Sequence, residues 1–511
     1  MAIRKYLPFL LILVALTARF LPRARTIDDA FITFRYARNL LEGHGFVFNP
    51  GERVQGTTTP IYTFLMTGLG YLTGGSHTSF PSLSLTLNAI ADAITCFLLW
   101  KLGLHLKSEL VGIATSLLWA IAPYSVTFAI GGLETSVYVL LLTGVFFFYI
   151  TNRYNLTSVF AALTLLTRPD AVIFIGPLIV DRLHRAKSYH ERIQSSEILL
   201  FFLPCLAWGL FATFYFGSPI PHSVQAKLMA YRLESNASLI RLLQHFSTPF
   251  FEQNIFGVIW IGFGLILYPF LYLIGARKAF RIDPRYLAYI VFPWLYFLVF
   301  ALPNPLIFRW YLTPPLPPYF LFILFGLEKV LTDLLSKIKY VYFTSKWQGA
   351  ILFFFCLLLP TTSTLSEWRL HPDHGPDRPA PQMAWIKLEL LYRQAADRIT
   401  SQIQPGQVLA AGDVGVLGYY TKARILDTVG LNSPQSLQYY PLGPEYYVIN
   451  YAIPTSLILE EKPDWIIILD VYGRLTLLSD KEFLKQYRLI DTIPTDIYGS
   501  QGMLIFKKNP D

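Results

Sequence analysis

Charge is scarce in this chain. Asp, Glu, Lys and Arg make up 15% of its 511 residues, where a soluble globular protein carries about a quarter. Cysteine is scarcer still, with Cys96, Cys205 and Cys356 the only ones, each inside an apolar run. They share no metal-ligand spacing and read as small buried hydrophobes, which removes both a disulfide framework and a cysteine-based metal site. No internal repeat is found. No small-residue cleavage site follows the apolar N-terminus, where Thr17-Ala18-Arg19-Phe20 is a poor candidate; the segment after Arg4-Lys5 is expected to be an uncleaved signal anchor. What the chain has instead is apolar mass: 53% hydrophobic residues, with Phe 40, Tyr 31 and Trp 10. That composition excludes a disordered chain and a nucleic-acid binder and points to a polytopic α-helical membrane protein surrounded by lipid.

Apolar segments lie near 6–21, 58–75, 81–104, 109–130, 134–151, 156–181, 196–216, 254–275, 286–302, 312–330 and 347–362. At bilayer length they predict about 11 to 13 spans. Pro123 and Pro169 interrupt their segments and leave parity between 58 and 168, and the span count between 58 and 181, open to broken or re-entrant helices. Three intervening loops are basic: Arg182 to Arg192, Arg277 to Arg285, and Lys329 to Lys346. Each is two spans from the next, so they share a side, which the positive-inside rule makes cytoplasmic. Loop 22–57, loop 217–252, the Pro-rich 303–311 and the C-terminal region then face outward from a plasma (inner) membrane. Residues 1–364 are expected to form the transmembrane domain and 365–511 a soluble extracytoplasmic α/β domain. The second is marked by a turn-rich linker at His371–Asp377, an amphipathic helix at Trp385–Ile403, and strand-like runs at Val408–Ala411, Trp465–Leu469 and Met503–Phe506.

Candidate chemistry collects on the outward side. Asp28-Asp29 follows the first span and opens a helical pattern in which Ala30, Phe31, Phe34, Ala37 and Leu41 recur, ending at Glu42-Gly43-His44-Gly45. That pattern predicts an amphipathic helix lying in the membrane interface. The pair reads either as a helix cap, with Asp28 at the N-cap, or as a catalytic carboxylate held near headgroup depth. Glu134 sits at a segment boundary after Gly131-Gly132-Leu133. Arg168-Pro169-Asp170 interrupts an apolar stretch, where it forms a structural ion pair or serves a site. In loop 217–252, His222 and Lys227 stand together; Lys227 is a surface lysine or an anion holder. Arg309 before Trp310-Tyr311 either anchors the interface or grips phosphate with its planar fork. A carboxylate base facing cations across one cavity suits transfer of a sugar from a lipid-phosphate donor.

These motifs resemble a known family. Asp28-Asp29-Ala30-Phe31-Ile32-Thr33-Phe34-Arg35-Tyr36-Ala37-Arg38-Asn39-Leu40, then Gly43-His44-Gly45 and Asn49-Pro50-Gly51-Glu52-Arg53-Val54, is similar to the first external loop of C-type (GT-C) integral-membrane glycosyltransferases. The likeness is strongest to the arabinofuranosyltransferase branch that uses polyprenyl-phosphate donors. Gly132-Leu133-Glu134-Thr135, Arg168-Pro169-Asp170, the Pro221-His222-Ser223 to Lys227 segment, Arg309-Trp310-Tyr311-Leu312 and Gly412-Asp413-Val414-Gly415 to Tyr420, with Asp427 and Gly430-Leu431, resemble further motifs of that branch. The resemblance implies cell-envelope glycan synthesis: a polyprenyl-phosphate sugar donor, a glycan or lipid-linked acceptor, and inverting single displacement with an Asp base. Carried over, Asp28 or Asp29 is the base, with Asp28 favoured as the first of the pair. Glu134, Arg168, Asp170, His222, Lys227, Arg309 and Tyr311 become donor or substrate contacts. Phe46 and Gly56-Thr57-Thr58-Thr59-Pro60 depart from the pattern, which bears on acceptor choice. No cofactor is expected; Asp28, Asp29 and Glu134 are the oxygen ligands available if a divalent cation is used. The alternative from another class is a transporter or flippase for a lipid-linked or sugar substrate, whose charges would sit near the bilayer midplane.

Overall fold

The computed structural model describes residues 2–337, 345–368 and 386–510. The expected linker at His371–Asp377, Trp385 and Lys339 of the third basic loop lie outside these residues. Five helices are long and apolar enough to cross a membrane: Phe80–His105, Ser195–Phe216, Ile259–Ile282, Pro284–Ala301 and Lys346–Ser366. Glu109–Ile121 and Pro123–Ile130 make a sixth candidate if taken as one span bent by 46°. The expectation of about 11 to 13 spans counted every apolar segment. Several of those segments fold as helices too short for a straight crossing, among them Tyr6–Phe20, Thr135–Ile150 and Tyr154–Thr167.

Proline explains the two main interruptions. A residue before proline is pushed out of the helical region by the pyrrolidine ring. Ala122 before Pro123 is at φ −57°, ψ 125°, and Arg168 before Pro169 is at φ −151°, ψ 132°. The first break bends Pro123–Ile130 away from Glu109–Ile121 by 46°. The second splits the expected segment 156–181 into Tyr154–Thr167 and Val172–Ser188, leaving Arg168 at the gap. Elsewhere small residues let helices meet closely, as lipid-embedded packing favours. A Cβ on Gly275 would lie 2.0 Å from the Phe322 carbonyl oxygen, and one on Gly326 would lie 1.8 Å from that of Leu271. Helices Ile259–Ile282 and Leu316–Lys337 therefore cross at backbone contact. A fully buried ion pair ties the first helix to the bundle: Arg19 Nε donates to Asp92 Oδ2 at 3.0 Å, and Asp92 also accepts from Trp119 Nε1 (3.1 Å) and Ser136 Oγ (2.8 Å).

The C-terminal residues form a five-stranded sheet: β1 (Val408–Ala411), β2 (Arg424–Asp427), β3 (Trp465–Leu469), β4 (Tyr487–Pro494) and β5 (Gly502–Lys508), in the order β2-β1-β3-β5-β4. β1 runs parallel to β2 and β3, and β5 is antiparallel to β3 and β4. Every residue of the central β3 is buried. Helix Lys387–Ile399 packs through Leu388, Tyr392, Ala395, Ala396 and Ile399, a stripe at helical spacing. The three strands expected from sequence are present; β2 and β4 had no reading.

The membrane domain completes the free edge of this sheet. The Asn49 side chain accepts from the Ile425 amide (3.0 Å) and donates to its carbonyl (2.8 Å), as a paired strand would. The helix expected in the lipid interface, Asp28–Leu41, forms with the expected end at Glu42 but in a different setting: Asp28 and every residue from Ala30 to Asn39 are buried. Its two arginines are buried and donate to backbone carbonyls. Arg35 donates to Phe48 O and Ala423 O, both at 2.7 Å, and Arg38 donates to Tyr419 O at 2.7 Å. The helix is a strut between the two domains and presents no water-facing polar side over these residues.

Candidate active site

A polar cavity of about 260 Å³ lies where the strut, two loop segments and the C-terminal domain meet. Asp29 and Thr33 enter it from one face of the strut, four residues apart, and Ser223 and Lys227 enter from helix His222–Ala230 with the same spacing. Thr57, Thr58 and Thr59 come from the end of the first loop, Glu134 from the turn after Gly132, and Arg168 and Asp170 from the proline break. Trp310, Tyr311 and, from the C-terminal domain, Leu431 complete the wall. Six residues singled out from sequence thus line one cavity: Asp29, Glu134, Arg168, Asp170, Lys227 and Tyr311. Asp28, His222 and Arg309 do not.

Asp28 is turned away. Its Oδ2 accepts from the Gly415 amide at 2.9 Å and its Oδ1 from the Val416 amide at 2.7 Å. Those are amides at the start of helix Gly415–Thr421, where an anion satisfies orphan donors and meets the positive end of the helix. The capping role weighed from sequence is present, on a helix of the other domain; the strut's own N-cap is Ile27. Gly415 is required here, because a Cβ would lie 1.9 Å from the Asp28 carbonyl oxygen. Beside this contact sit two more buried carboxyls. Glu389 Oε1 accepts from the Asp28 amide at 3.3 Å, and Asp413 accepts from the Tyr392 hydroxyl at 2.7 Å. Burial pushes Glu389 up to about 8 and Asp413 up to about 6. Burial, then the neighbouring Asp413, pushes Asp28 upward, against its two amide donors.

Asp29 differs in each respect. It is half-buried, and among the described residues no group donates a hydrogen bond to its carboxylate. Burial raises its pKa and the Lys227 ammonium pulls it back down. Lys227 has no ion pair among the described residues; its Nζ sits 4.6 Å from the centre of the Phe308 ring. Arg168 is already spent. It grips Asp170 with two hydrogen bonds of 2.9 Å, reaches Glu134 at 3.4 Å and lies over the rings of Tyr311 (4.5 Å) and Tyr138 (5.0 Å). Tyr296 donates to the same Asp170 carboxylate at 3.1 Å. That cluster fixes the proline break, while Asp29 and Lys227 are the cavity's uncommitted charges. His222 lies just outside: its amide donates to Gln55 O at 3.0 Å, and burial lowers its imidazole pKa.

Sequence reasoning missed Thr33, Ser223, Trp310 and Leu431. The first two carry a usable signal, since each is four residues from a chosen charge on the same helix. Leu431 was marked only by the resemblance at Gly430-Leu431, and docking of the C-terminal domain is what brings it to the cavity. Among the described residues, no three His, Cys, Asp or Glu side chains come together as metal ligands.

Residues 382–506 match a family described as a domain of unknown function (DUF8728). The chain is 26% identical over 219 residues to the terminal β-(1→2)-arabinofuranosyltransferase of Mycobacterium tuberculosis, covering 39% of this chain and 34% of the relative. It therefore spans about a third of that relative's length. Among solved structures, the Archaeoglobus fulgidus oligosaccharyltransferase aligns with TM-score 0.57 at 11% identity, over 91% of this chain and 70% of its own. ArnT from Cupriavidus metallidurans aligns at 0.56 and 11%, over 100% of both chains. The arabinofuranosyltransferase AftD from mycobacteria aligns at 0.50 and 14%, over 99% of this chain and 40% of its own. The chain is thus a membrane protein of the GT-C fold, with a small C-terminal sheet domain and a likeness to arabinofuranosyltransferases.

Proposed function

We propose that the protein is a glycosyltransferase that moves a sugar from a polyprenyl-phosphate donor to a hydroxyl of a glycan or lipid-linked acceptor on the extracytoplasmic side of the plasma membrane. The observation that carries this reading is the pair of uncommitted charges, Asp29 and Lys227, in one cavity. The acceptor hydroxyl attacks the anomeric carbon as the bond from that carbon to the phosphate oxygen breaks. Asp29 takes the hydroxyl proton, and the departing lipid phosphate keeps the bonding electrons beside Lys227. A single displacement inverts the anomeric centre. The cavity presents three carboxylates, Asp29, Glu134 and Asp170, against the cations Arg168 and Lys227. That excess of negative charge suits a sugar that becomes oxocarbenium-like in the transition state.

Asp29 replaces Asp28 as the favoured base, because the Asp28 carboxylate is already engaged by two amides. Asp28 becomes the positioning residue that seats the C-terminal domain over the cavity. Arg309, expected at the donor, is not among the residues lining this cavity. An apolar groove of about 600 Å³ between the first loop and helix Ser195–Phe216 supplies a place for an isoprenoid chain. It adjoins the polar cavity along the chain, since Pro60 follows Thr59 and Leu166 precedes Arg168 by two residues. Phe46, the departure noted in the first-loop motif, lines this groove. The neighbour ArnT has been solved bound to undecaprenyl phosphate, and the oligosaccharyltransferase with a dolichol-phosphate; both support a lipid-phosphate donor here. The test is to incubate the purified full chain with a panel of polyprenyl-phosphate sugars and acceptors and measure released lipid phosphate. Release that depends on Asp29 is expected. No release with any donor would overturn the proposal.

A further inference from the structure

Arg309 leads to a second feature. It does not line the donor cavity, and it lies within electrostatic reach of another arginine, Arg241 of helix Ala237–Ser247. Arg241 Nη1 donates to Ile307 O at 2.6 Å, which brings its guanidinium to the segment carrying Arg309, and the two guanidinium groups repel one another. Both lie within electrostatic reach of Tyr124 and of Tyr498 from the C-terminal domain. Neither arginine has a carboxylate within ion-pair distance among the described residues, and Arg309 has no hydrogen-bond acceptor there either. Asp413 and Glu389 also act electrostatically on Tyr498, and they are engaged by Tyr392 and the Asp28 amide.

His245 faces the same place. It is buried, its ring stands 4.8 Å from that of Tyr124, and its Nε2 has no partner among the described residues. Burial holds His245 down to about 4, so the imidazole is neutral and contributes no charge near pH 7. Two like charges at a partly buried location, without a counter-ion, are costly unless an anion joins them. The planar forks of two arginines suit the oxygens of a phosphate. Phe308 and Trp310, the chain neighbours of Arg309, stack with 4.6 Å between centres, and the Lys227 Nζ lies over Phe308.

We propose that Arg241 and Arg309, with Tyr124 and His245 beside them, form a second oxyanion site that takes a phosphate group carried by the acceptor, either on its glycan or on its lipid anchor. The proposal rests on the glycosyltransferase reading only for the word acceptor; the binding site stands by itself.

Titration of inorganic phosphate into the purified full chain in detergent tests the site without any turnover. The wild type is expected to bind phosphate at two places, Lys227→Ala at the arginine pair only, and the charge-removing double variant Arg241→Gln/Arg309→Gln at Lys227 only. Loss of charge-assisted bonds should weaken the second site by about tenfold or more. The charge-keeping double variant Arg241→Lys/Arg309→Lys should retain binding, which separates a lost site from a lost fold. Phosphate binding by the charge-removing variant equal to wild type, or equal loss in both double variants, would overturn the proposal. In turnover, the charge-removing variant should raise KM for a phosphorylated acceptor and leave KM for the donor unchanged. A soluble phosphorylated oligosaccharide and a neutral oligosaccharide on a phosphate-bearing lipid anchor identify the source by which KM rises. An equal rise for an acceptor with no phosphate at all would also overturn it. Two-site phosphate binding with no released lipid phosphate from any donor would sink the glycosyltransferase reading and leave the oxyanion site standing.

Discussion

Replacing the two adjacent aspartates one at a time separates the roles the structure gives them. Asp29→Asn keeps side-chain volume and removes the proton acceptor from the cavity. General-base catalysis contributes about 10²–10⁴-fold, equal to about 2.7–5.4 kcal/mol of activation free energy. Because the Asp29 carboxylate has no hydrogen-bond donor among the described residues, its loss should leave Tm within about 1 °C on the usual scale for a neutral surface-like change. Asp28→Asn is the opposite case. One asparagine oxygen can replace one carboxylate oxygen, but the amide NH₂ then faces an N–H donor at 2.7 or 2.9 Å. A buried donor left without an acceptor costs about 1–3 kcal/mol, and more where a charge was involved. Asp28→Asn should therefore lower Tm by several degrees and lower kcat only as far as the C-terminal domain loses its seat. Released lipid phosphate under saturating donor gives kcat, and a thermal-shift assay on the same preparations gives Tm. Full turnover in Asp29→Asn, or a stable and inactive Asp28→Asn beside an active Asp29→Asn, would refute the assignment.

Lys227→Ala should raise KM for the donor by about 10- to 100-fold through loss of a charge-assisted contact to phosphate. Because Lys227 lowers the Asp29 pKa, the same variant should move the acid limb of the pH–rate profile to higher pH; an unmoved limb would uncouple the two residues. Gly415→Ala places a methyl 1.9 Å from the Asp28 carbonyl oxygen, so limited proteolysis should release the C-terminal domain faster than from wild type; unchanged protection would show that the contact is dispensable. Glu389 and Asp413 are pushed to about 8 and about 6 in the folded protein, against about 4 for exposed carboxyls. The folded state then holds protons that the unfolded chain has released, and the associated stability, full below about pH 4, is lost as pH rises through about 6 and about 8. Tm should fall between about pH 5 and about pH 8.5, and Glu389→Gln, neutral throughout, should flatten the decline; a Tm that rises over this range would contradict the burial of these groups.

Much of the molecule was legible in the sequence because it depends on local chemistry. Apolar composition determined a membrane protein. Proline at 123 and 169 marked both breaks, since the ring acts on the residue before it whatever the surroundings. The strut helix and its end at Glu42 follow from helical period, and the short apolar runs that became β1, β3 and β5 follow from strand propensity and the turn residues that bound them. Six of the nine chosen site residues line one cavity, because charges in apolar surroundings are costly and persist where something holds them.

Tertiary structure alone decided the rest. Adjacent residues on a helix point about 100° apart, so Asp28 and Asp29 face different partners, and sequence cannot say which faces the cavity until the C-terminal domain is docked. Arg35, Arg38 and Asn49 look like solvent-facing polar residues until the backbone of residues 419–425, nearly 400 positions later, arrives to take their hydrogen bonds. Arg168 and Arg309 look alike in a sequence, each a lone cation beside an aromatic or proline. One is committed to Asp170, and the other stands beside a second arginine from a distant helix. Local pattern says which groups are expensive to bury; only the fold brings together the partners that make them structural, catalytic or free to bind.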